Sequence, residues 1–381
     1  MSPFIRTWLL SLLFPGLPLV ALVQWLLPQL KQRTGQLRWY TISCLLGMTL
    51  GIVTETLGAT VLDLRIVGGA LRLAGSVIQL VAAAVYLAAV WRAIVRSLHM
   101  SVGDTLFHIG AIWLFAATLL HFSYSLASAI GIDLTFLQRA SFCVDIALLM
   151  GFGLNSVLGI LVVFMPHFLQ MQTPDPRGIN SIITFNVILA VWVATAAWSV
   201  QFPHTWVRLV LSLVSLGVAG GMTHALFSLR ANTWVSAAPG GTRQTIAKIS
   251  LVVTMLSALA AAVVIMGFGL WLGATDALGA DNLEAVTILL LMVGVGSFGL
   301  IAVFVGFLGP PAGRKAVGWM AYVAMLGLAL GLITRTLIEL GSSLTLYQFT
   351  YENLFGQIAL AAGHIIFALW LLFSLQSRRA S

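Results

Sequence analysis

The residues of this 381-residue sequence whose types could do chemistry are its seven histidines, a few methionines and a handful of charges embedded in apolar stretches. An imidazole can ligate a metal, move a proton or tie two helices together by a hydrogen bond. His99, His108, His167 and His204 fall at or near the ends of apolar stretches, where water or headgroups can satisfy the ring without a metal. His121, His224 and His364 fall inside such stretches, where a polar group is costly and faces protein or a cavity, so they are the first candidates. The run MPHFLQM brings together Met165, His167 and Met171, a soft donor set that suits Cu(I), although methionine is also ordinary packing material. Glu55 and Arg335 are also enclosed by apolar residues. A charge there costs about 2.5–3.5 kcal/mol even on insertion scales, so each needs a partner. Two arrangements are open: a mutual Glu55–Arg335 ion pair, or Arg335 with Glu339 one turn along its own helix. Asp145, near the start of an apolar stretch, is expected at the interface with no special role.

Composition dictates the elements that must position these groups. Hydrophobic residues make up 60% of the chain and charged ones 8%, far from the roughly 25% charged residues of a soluble domain. Apolar runs of about 20 residues, enough to cross a bilayer as a helix, recur with short polar breaks. They predict eleven spans at about 7–27, 39–62, 72–95, 105–129, 142–165, 180–201, 206–229, 248–273, 285–308, 317–340 and 354–376. The first run lacks a small-residue cleavage site before Lys31 and Arg33, so it is expected to be a span and not a signal peptide. The net charge of +8 is scattered in ones, twos and threes at span ends, which predicts a lipid bilayer and no nucleic acid as partner. Arg6, Arg65, Arg72, Arg139 and Arg208 fall on one side and thirteen Lys and Arg on the other, which with Arg335 accounts for all 19. The bias predicts an amino terminus outside and a cytoplasmic carboxyl terminus, in a bacterial inner membrane. Cys44 and Cys143 have neither the spacing nor the context of a disulfide framework or a thiolate metal site.

The spans repeat. WYTISCLLGMTLGIVTETL from Trp39 aligns without gaps on WMAYVAMLGLALGLITRTL from Trp319, pairing Gly47 with Gly327, Gly51 with Gly331 and Glu55 with Arg335; Thr195 takes the third equivalent position. At about half that offset, LLMGFGLNSVLGILVVF from Leu148 resembles LLMVGVGSFGLIAVFVGF from Leu290, and THALF from Thr223 resembles GHIIF from Gly363, which pairs His224 with His364. The expected architecture is a single all-α transmembrane domain over 1–381. Its three pseudo-threefold repeats cover about 1–135, 136–275 and a truncated 276–381, with about four helices each and eleven rather than twelve in all.

Three four-helix units resemble subunit I of the heme-copper oxidases, and the chain is more similar still to the NnrS family of membrane proteins. The residues that carry the likeness are ALRLAGSVIQLVAAAVYLAAVWRAIVRS from Ala70, LLMGFGLNSVLGILVVFMPHFL from Leu148 and NLFGQIALAAGHIIFALWLLFSL from Asn353. The resemblance implies heme b, with or without copper, and a role in the nitric oxide response or electron transfer. His224 and His364, with His121, would be the heme ligands, Arg335 a clamp on its propionates, and Met165, His167 and Met171 the copper donors. The chain departs from that family where its glycine-rich helices would begin with histidine: here they read CVDIALLMGFG and EAVTILLLMVG. It also has no adjacent histidines and no His-x-His, so oxygen reduction is not expected, nor any independent catalytic activity. Two other readings stay open: a cofactor-free accessory or structural subunit of a respiratory or photosynthetic complex, and a transporter. The bland reading of each embedded histidine is a hydrogen bond between helices.

Overall fold

A polypeptide in hydrocarbon has no water to satisfy its peptide groups, so it must satisfy them within each segment, and a helix does this. The computed structural model describes residues 37–60, 65–95, 101–131, 142–168, 178–201, 205–229, 242–274, 280–308, 315–345 and 352–379, together with Val20. Among these, every element is helical: α1 (Leu37–Thr60), α2 (Arg65–Val95), α3 (Val102–Ala129), α4 (142–168), α5 (Gly178–Gln201), α6 (Thr205–Ser228), α7 (Thr242–Ala274), α8 (280–308), α9 (Lys315–Thr345) and α10 (Glu352–Arg379). All ten are long and apolar enough to cross a membrane, so the chain is a multi-pass helical membrane protein. The expected first span, about 7–27, lies outside the described residues.

Two of these helices are irregular. Ala147–Leu154 of α4 and Leu290–Ser297 of α8 are π-helical, each eight residues long and each set between α-helical turns. They coincide with the two glycine-rich stretches that resemble one another in sequence. Both are buried all round: every residue from 142 to 162 is inaccessible, as is every residue from 290 to 303 except Met292. A helix apolar on all faces belongs in the interior, and these two run there.

The chain forms two compact units, residues 1–159 with 189–207, and residues 160–188 with 208–381. In the first, α1 and α2 pack antiparallel through small residues. A Cβ on Gly47 would meet Ala82, one on Gly51 the backbone of Gly75 and the stem of Gln79, and one on Gly58 the backbone of Gly68 and Arg72. Helix α3 opens with a capping box, Ser101 exchanging bonds with Asp104, and closes at Gly131, whose φ of 80° is the left-handed conformation that ends helices. In the second unit, α9 and α10 approach through Gly327 against Gly363, Gly331 against Leu360, and Gly356 against the Arg335 stem. The start of α5 packs on α6 through Gly221 against Phe185, Gly217 against Ile188, and Gly178 against Ser228. Lipid gives helices no hydrophobic reason to associate, so close backbone approach at small residues has to hold them. Exposed Trp39, Trp91, Trp198, Trp206 and Trp319 stand at helix ends, where indole rings anchor at the headgroup level.

Gly51 and Gly69 supply a controlled comparison. An added Cβ at Gly51 would lie 2.6 Å from Gln79 Cγ and 2.8 Å from the Gly75 carbonyl, whereas at Gly69 it meets nothing within 4 Å. Gly51→Ala is expected to lower stability by about 1–3 kcal/mol through overpacking. Gly69→Ala should be neutral or raise it by up to about 1 kcal/mol through helix propensity. Thermal unfolding in detergent reads the difference, and equal melting temperatures for the two variants would refute the close-packing account.

Candidate functional site

The buried face of α1 carries Cys44, Met48, Ile52, Glu55 and Ala59 at helical spacing. The one acidic residue in that row, Glu55, is 0% exposed. Its backbone runs beside Gly75: a Cβ there would come within 2.8 Å of the Glu55 nitrogen. The missing side chain lets the carboxylate pass along α2 to Gln79, whose Nε2 donates to Glu55 Oε2 at 2.8 Å. From α3, His121 Nε2 meets the other oxygen, Oε1, at 2.9 Å. Three helices of the first unit therefore converge on one carboxylate, and the side chains of Glu55 and His121 are both about 1% exposed.

The hydrogen bonds divide the labour between the two oxygens. An amide N–H can only donate, so Gln79 makes Oε2 an acceptor and fixes the plane of the carboxyl group. The line from Oε1 to Nε2 is left as the place where a proton can sit, either on the imidazole facing a carboxylate or on the carboxyl group facing a neutral ring. Of the two arrangements open to Arg335, the structure holds the one with Glu339, and the Glu55 oxygens are taken by Gln79 and His121. Gln79 carried no signal beyond being an amide in a long apolar helix, since the helix register that makes it the partner is a tertiary fact.

A second carboxylate lies in the same unit. Asp145 on α4 is 2% exposed, and its Oδ1 has no hydrogen-bond partner among the described residues. The sequence places it at a membrane interface because it is near a span start. In the structure it is buried among protein side chains, because α4 is enclosed over residues 142–162. Also enclosed here are the hydroxyls of Tyr86, which meets Phe152 edge-on at 6.1 Å, and of Ser156, which faces Gly110.

The remaining candidates belong to the second unit. His224 is exposed on α6, with Nε2 3.0 Å from Ser181 Oγ. His364 is half-buried on α10; its Nδ1 lies 2.8 Å from the Leu360 carbonyl and its Nε2 3.0 Å from Ser297 Oγ, at the end of the α8 π-helix. A carbonyl can only accept, so Nδ1 carries the proton and Nε2 takes a hydrogen bond from the serine. The two ring nitrogens that an iron would use face two different serines on two different helices. As a bis-histidine heme site the pair does not fit. His364 alone has the orientation that holds metal-ligating imidazoles, its other N–H given to a carbonyl.

Arg335 Nη2 donates to Glu339 Oε1 at 3.2 Å, an i,i+4 pair in which both side chains keep partial access to the surface. Thr195, at the third equivalent position, returns its hydroxyl to the Val191 carbonyl. Of the possible copper donors, Met165 is buried, while the His167 side chain and Met171 lie outside the described residues. Among the described residues no group of three or more His, Cys, Asp and Glu is placed to hold a metal ion. Comparison of the chain with protein-family models, with curated proteins and with solved structures finds no match.

If Glu55 and His121 act as a pair, their substitutions will not add. Glu55→Ala leaves a buried imidazole and an amide without their acceptor, and is expected to cost about 3–5 kcal/mol. The double variant Glu55→Ala, His121→Ala should then cost less than the sum of the two single variants by about 0.5–3 kcal/mol. A double-mutant cycle from detergent unfolding measures it, and strict additivity would show that the two side chains do not interact.

Proposed function

We propose that this protein handles protons within the membrane, through a buried acid–base centre made of Glu55, His121 and Gln79. The observation that carries this reading is the pairing itself. An ionisable pair sealed among helices is weak evidence for stability, because apolar residues of similar volume would hold the helices as well or better. Inside a membrane bundle such residues mark proton relays and ion pathways as a rule. Here the carboxylate has one fixed oxygen and one that shares a proton with an imidazole, which is what a proton carrier needs. The class of activity is proton coupling or conduction by a transporter or by a subunit of a larger membrane complex.

The scaffold we infer is three related units, similar in plan to oxidase subunit I and the NnrS proteins. Its support is internal. The helix pairs α1–α2, α5–α6 and α9–α10 each close on glycines, Gly47 and Gly51 in the first matching Gly327 and Gly331 in the last, and the two π-helices fall in the two stretches that resemble each other. By the charge bias, the carboxyl terminus is cytoplasmic and Glu55 lies toward the outer leaflet.

A b-type heme ligated by His364 is the second reading, favoured by the Nδ1 bond to Leu360 that orients the ring. Heme would supply one-electron chemistry and would bring the nitric oxide response or electron transfer into view, while the chain would supply the imidazole and the enclosing helices. A reduced-minus-oxidised visible spectrum of the protein purified from heme-replete cells separates the two readings. A b-type band near one heme per chain, lost in His364→Ala, would establish the second.

Proteoliposomes loaded with a pH dye test the first. An imposed membrane potential should drive proton entry in the wild type, at a rate at least tenfold lower in Glu55→Gln, with His121→Ala similarly affected. Wild-type rates in a correctly folded Glu55→Gln protein would end the proton-handling proposal.

A further inference from the structure

Asp145 is the buried acid that the proposed centre leaves unused, and its depth is fixed by the packing of α3 on α4. The two helices run antiparallel, with Phe107 against Gly159, Gly110 against Ser156, and Trp113 against Gly151. His121 is eight residues beyond Trp113, about 12 Å further along α3. Asp145 is six residues before Gly151 on α4, partly through the more compressed π-helical turns. The two side chains therefore lie within about one helical turn of the same depth, and Cβ vectors tilt toward each helix's own amino terminus, which turns an antiparallel pair toward one another along the axis. Glu55, Gln79, His121 and Asp145 occupy one layer of the first unit.

The surroundings of Asp145 narrow its role. Among the described residues of α3 the titratable groups are Asp104, His108, His121 and Tyr124. Asp104 is engaged in the helix cap with Ser101, and His108 meets the Trp91 ring at 4.8 Å with the planes tilted by 45°, both at the opposite end of the helix. Tyr124 lies one turn beyond His121. On α2, Tyr86 sits by Phe152, at the level of the π-helix, and the Arg72 charge acts on Tyr124 of α3. On the α5 segment of this unit, Trp192 packs against Phe142 and brings no charge. No Lys or Arg among the described residues of α3, α4 or that segment offers Asp145 an ion pair.

Resting on the proton-handling reading, we propose that Asp145 is a second proton-carrying acid of the same centre, which makes it a two-carboxylate relay with His121 between the carriers. No hydrogen bond joins Asp145 Oδ1 to His121 Nδ1 in this structure, so transfer requires the two groups to approach; the O–H bond of Asp145 then breaks and an N–H bond forms at His121 Nδ1. The Nε2–H bond of the same ring breaks and an O–H bond forms at Glu55 Oε1. One proton has moved from one carboxyl group to the other, the imidazole has exchanged tautomers, and net charge is unchanged. The species carried is the proton, for which this layer supplies two carboxyl groups and one imidazole.

Dicyclohexylcarbodiimide reacts with carboxylic acids that carry their proton in apolar surroundings, and gives a test that needs no variant to fold. Treatment of the wild-type protein in lipid, followed by peptide mass mapping, should place the adduct on Asp145. An unlabelled Asp145 would overturn the proposal. The infrared carbonyl band of a protonated acid should shift in heavy water, persist in Glu55→Gln and vanish in Asp145→Asn; persistence in Asp145→Asn would count against it. In proteoliposomes, Asp145→Asn should slow proton entry at least tenfold, with partial recovery in Asp145→Glu. Normal flux in Asp145→Asn beside lost flux in Glu55→Gln would remove the second carrier and leave the first intact. Normal flux in both would remove the centre altogether.

Discussion

Hydrocarbon cannot solvate a polar group, and the interior of this protein is arranged around that fact. Most of its embedded hydroxyls solve the problem locally, by returning a hydrogen bond to a carbonyl three or four residues back: Thr49 to Leu45, Thr54 to Leu50, Thr118 to Leu114, Ser215 to Leu211, Thr254 to Ser250. Asn155 does the same at Gly151, inside the π-helical stretch. Such groups make no demand on tertiary structure. A carboxylate is different. It has no proton to return to a carbonyl while ionised, so it must recruit donors from other helices, and Glu55 recruits one from α2 and one from α3. Satisfying that single side chain sets the register of three helices in the first unit.

Close approach makes the recruitment geometrically feasible. Gln79 reaches Glu55 because α1 and α2 nearly touch at Gly51 and Gly75, where a methyl group on either would collide with backbone. The second unit uses the same device with a different outcome. Gly356 receives the stem of Arg335, which aligns with Glu55 in sequence, but the guanidinium turns along its own helix to Glu339 and keeps some contact with the exterior. A long cationic side chain can bring its charge to the edge of the bundle, whereas a short carboxylate held on an inward face cannot. Positions that align in sequence thus carry a sealed acid in one helix pair and a surface-reaching ion pair in the other.

The legible part of the structure is the part fixed by local composition. Hydropathy alone places ten helices close to where they are found, with α2, α7 and α9 running several residues further than apolarity predicts, because helix continues into the polar flank once nucleated. The i,i+4 partner of Arg335 was also readable, being a spacing within one helix. Pairings between helices were not. Glu55 and Arg335 occupy matched positions with opposite charges and invite one another on paper, yet the choice between that pair and the observed one depends on which helices adjoin and in what register. For Asp145 the sequence speaks only to depth along the helix, while enclosure by neighbours, which it does not show, decides access. The π-helices had no signal in side-chain chemistry, only in the likeness of two glycine-rich stretches.

The three embedded histidines differ in what their ring nitrogens are committed to. An iron ligand must present a lone pair to open space, and a helix tie must present it to a donor; the two demands exclude each other at one nitrogen. His364 presents its Nε2 lone pair to Ser297, and His224 Nε2 meets Ser181, so each ring ties two helices together. His121 presents its Nε2 to an acid instead. A serine can be displaced by a stronger ligand at the cost of one neutral hydrogen bond, about 1 kcal/mol, whereas freeing His121 would strand a carboxylate in the membrane interior at several times that cost. Of the three embedded imidazoles, the one committed by the strongest interaction is therefore the one bound to Glu55, and the function most compatible with that commitment is the exchange of a proton along the bond that holds the two together.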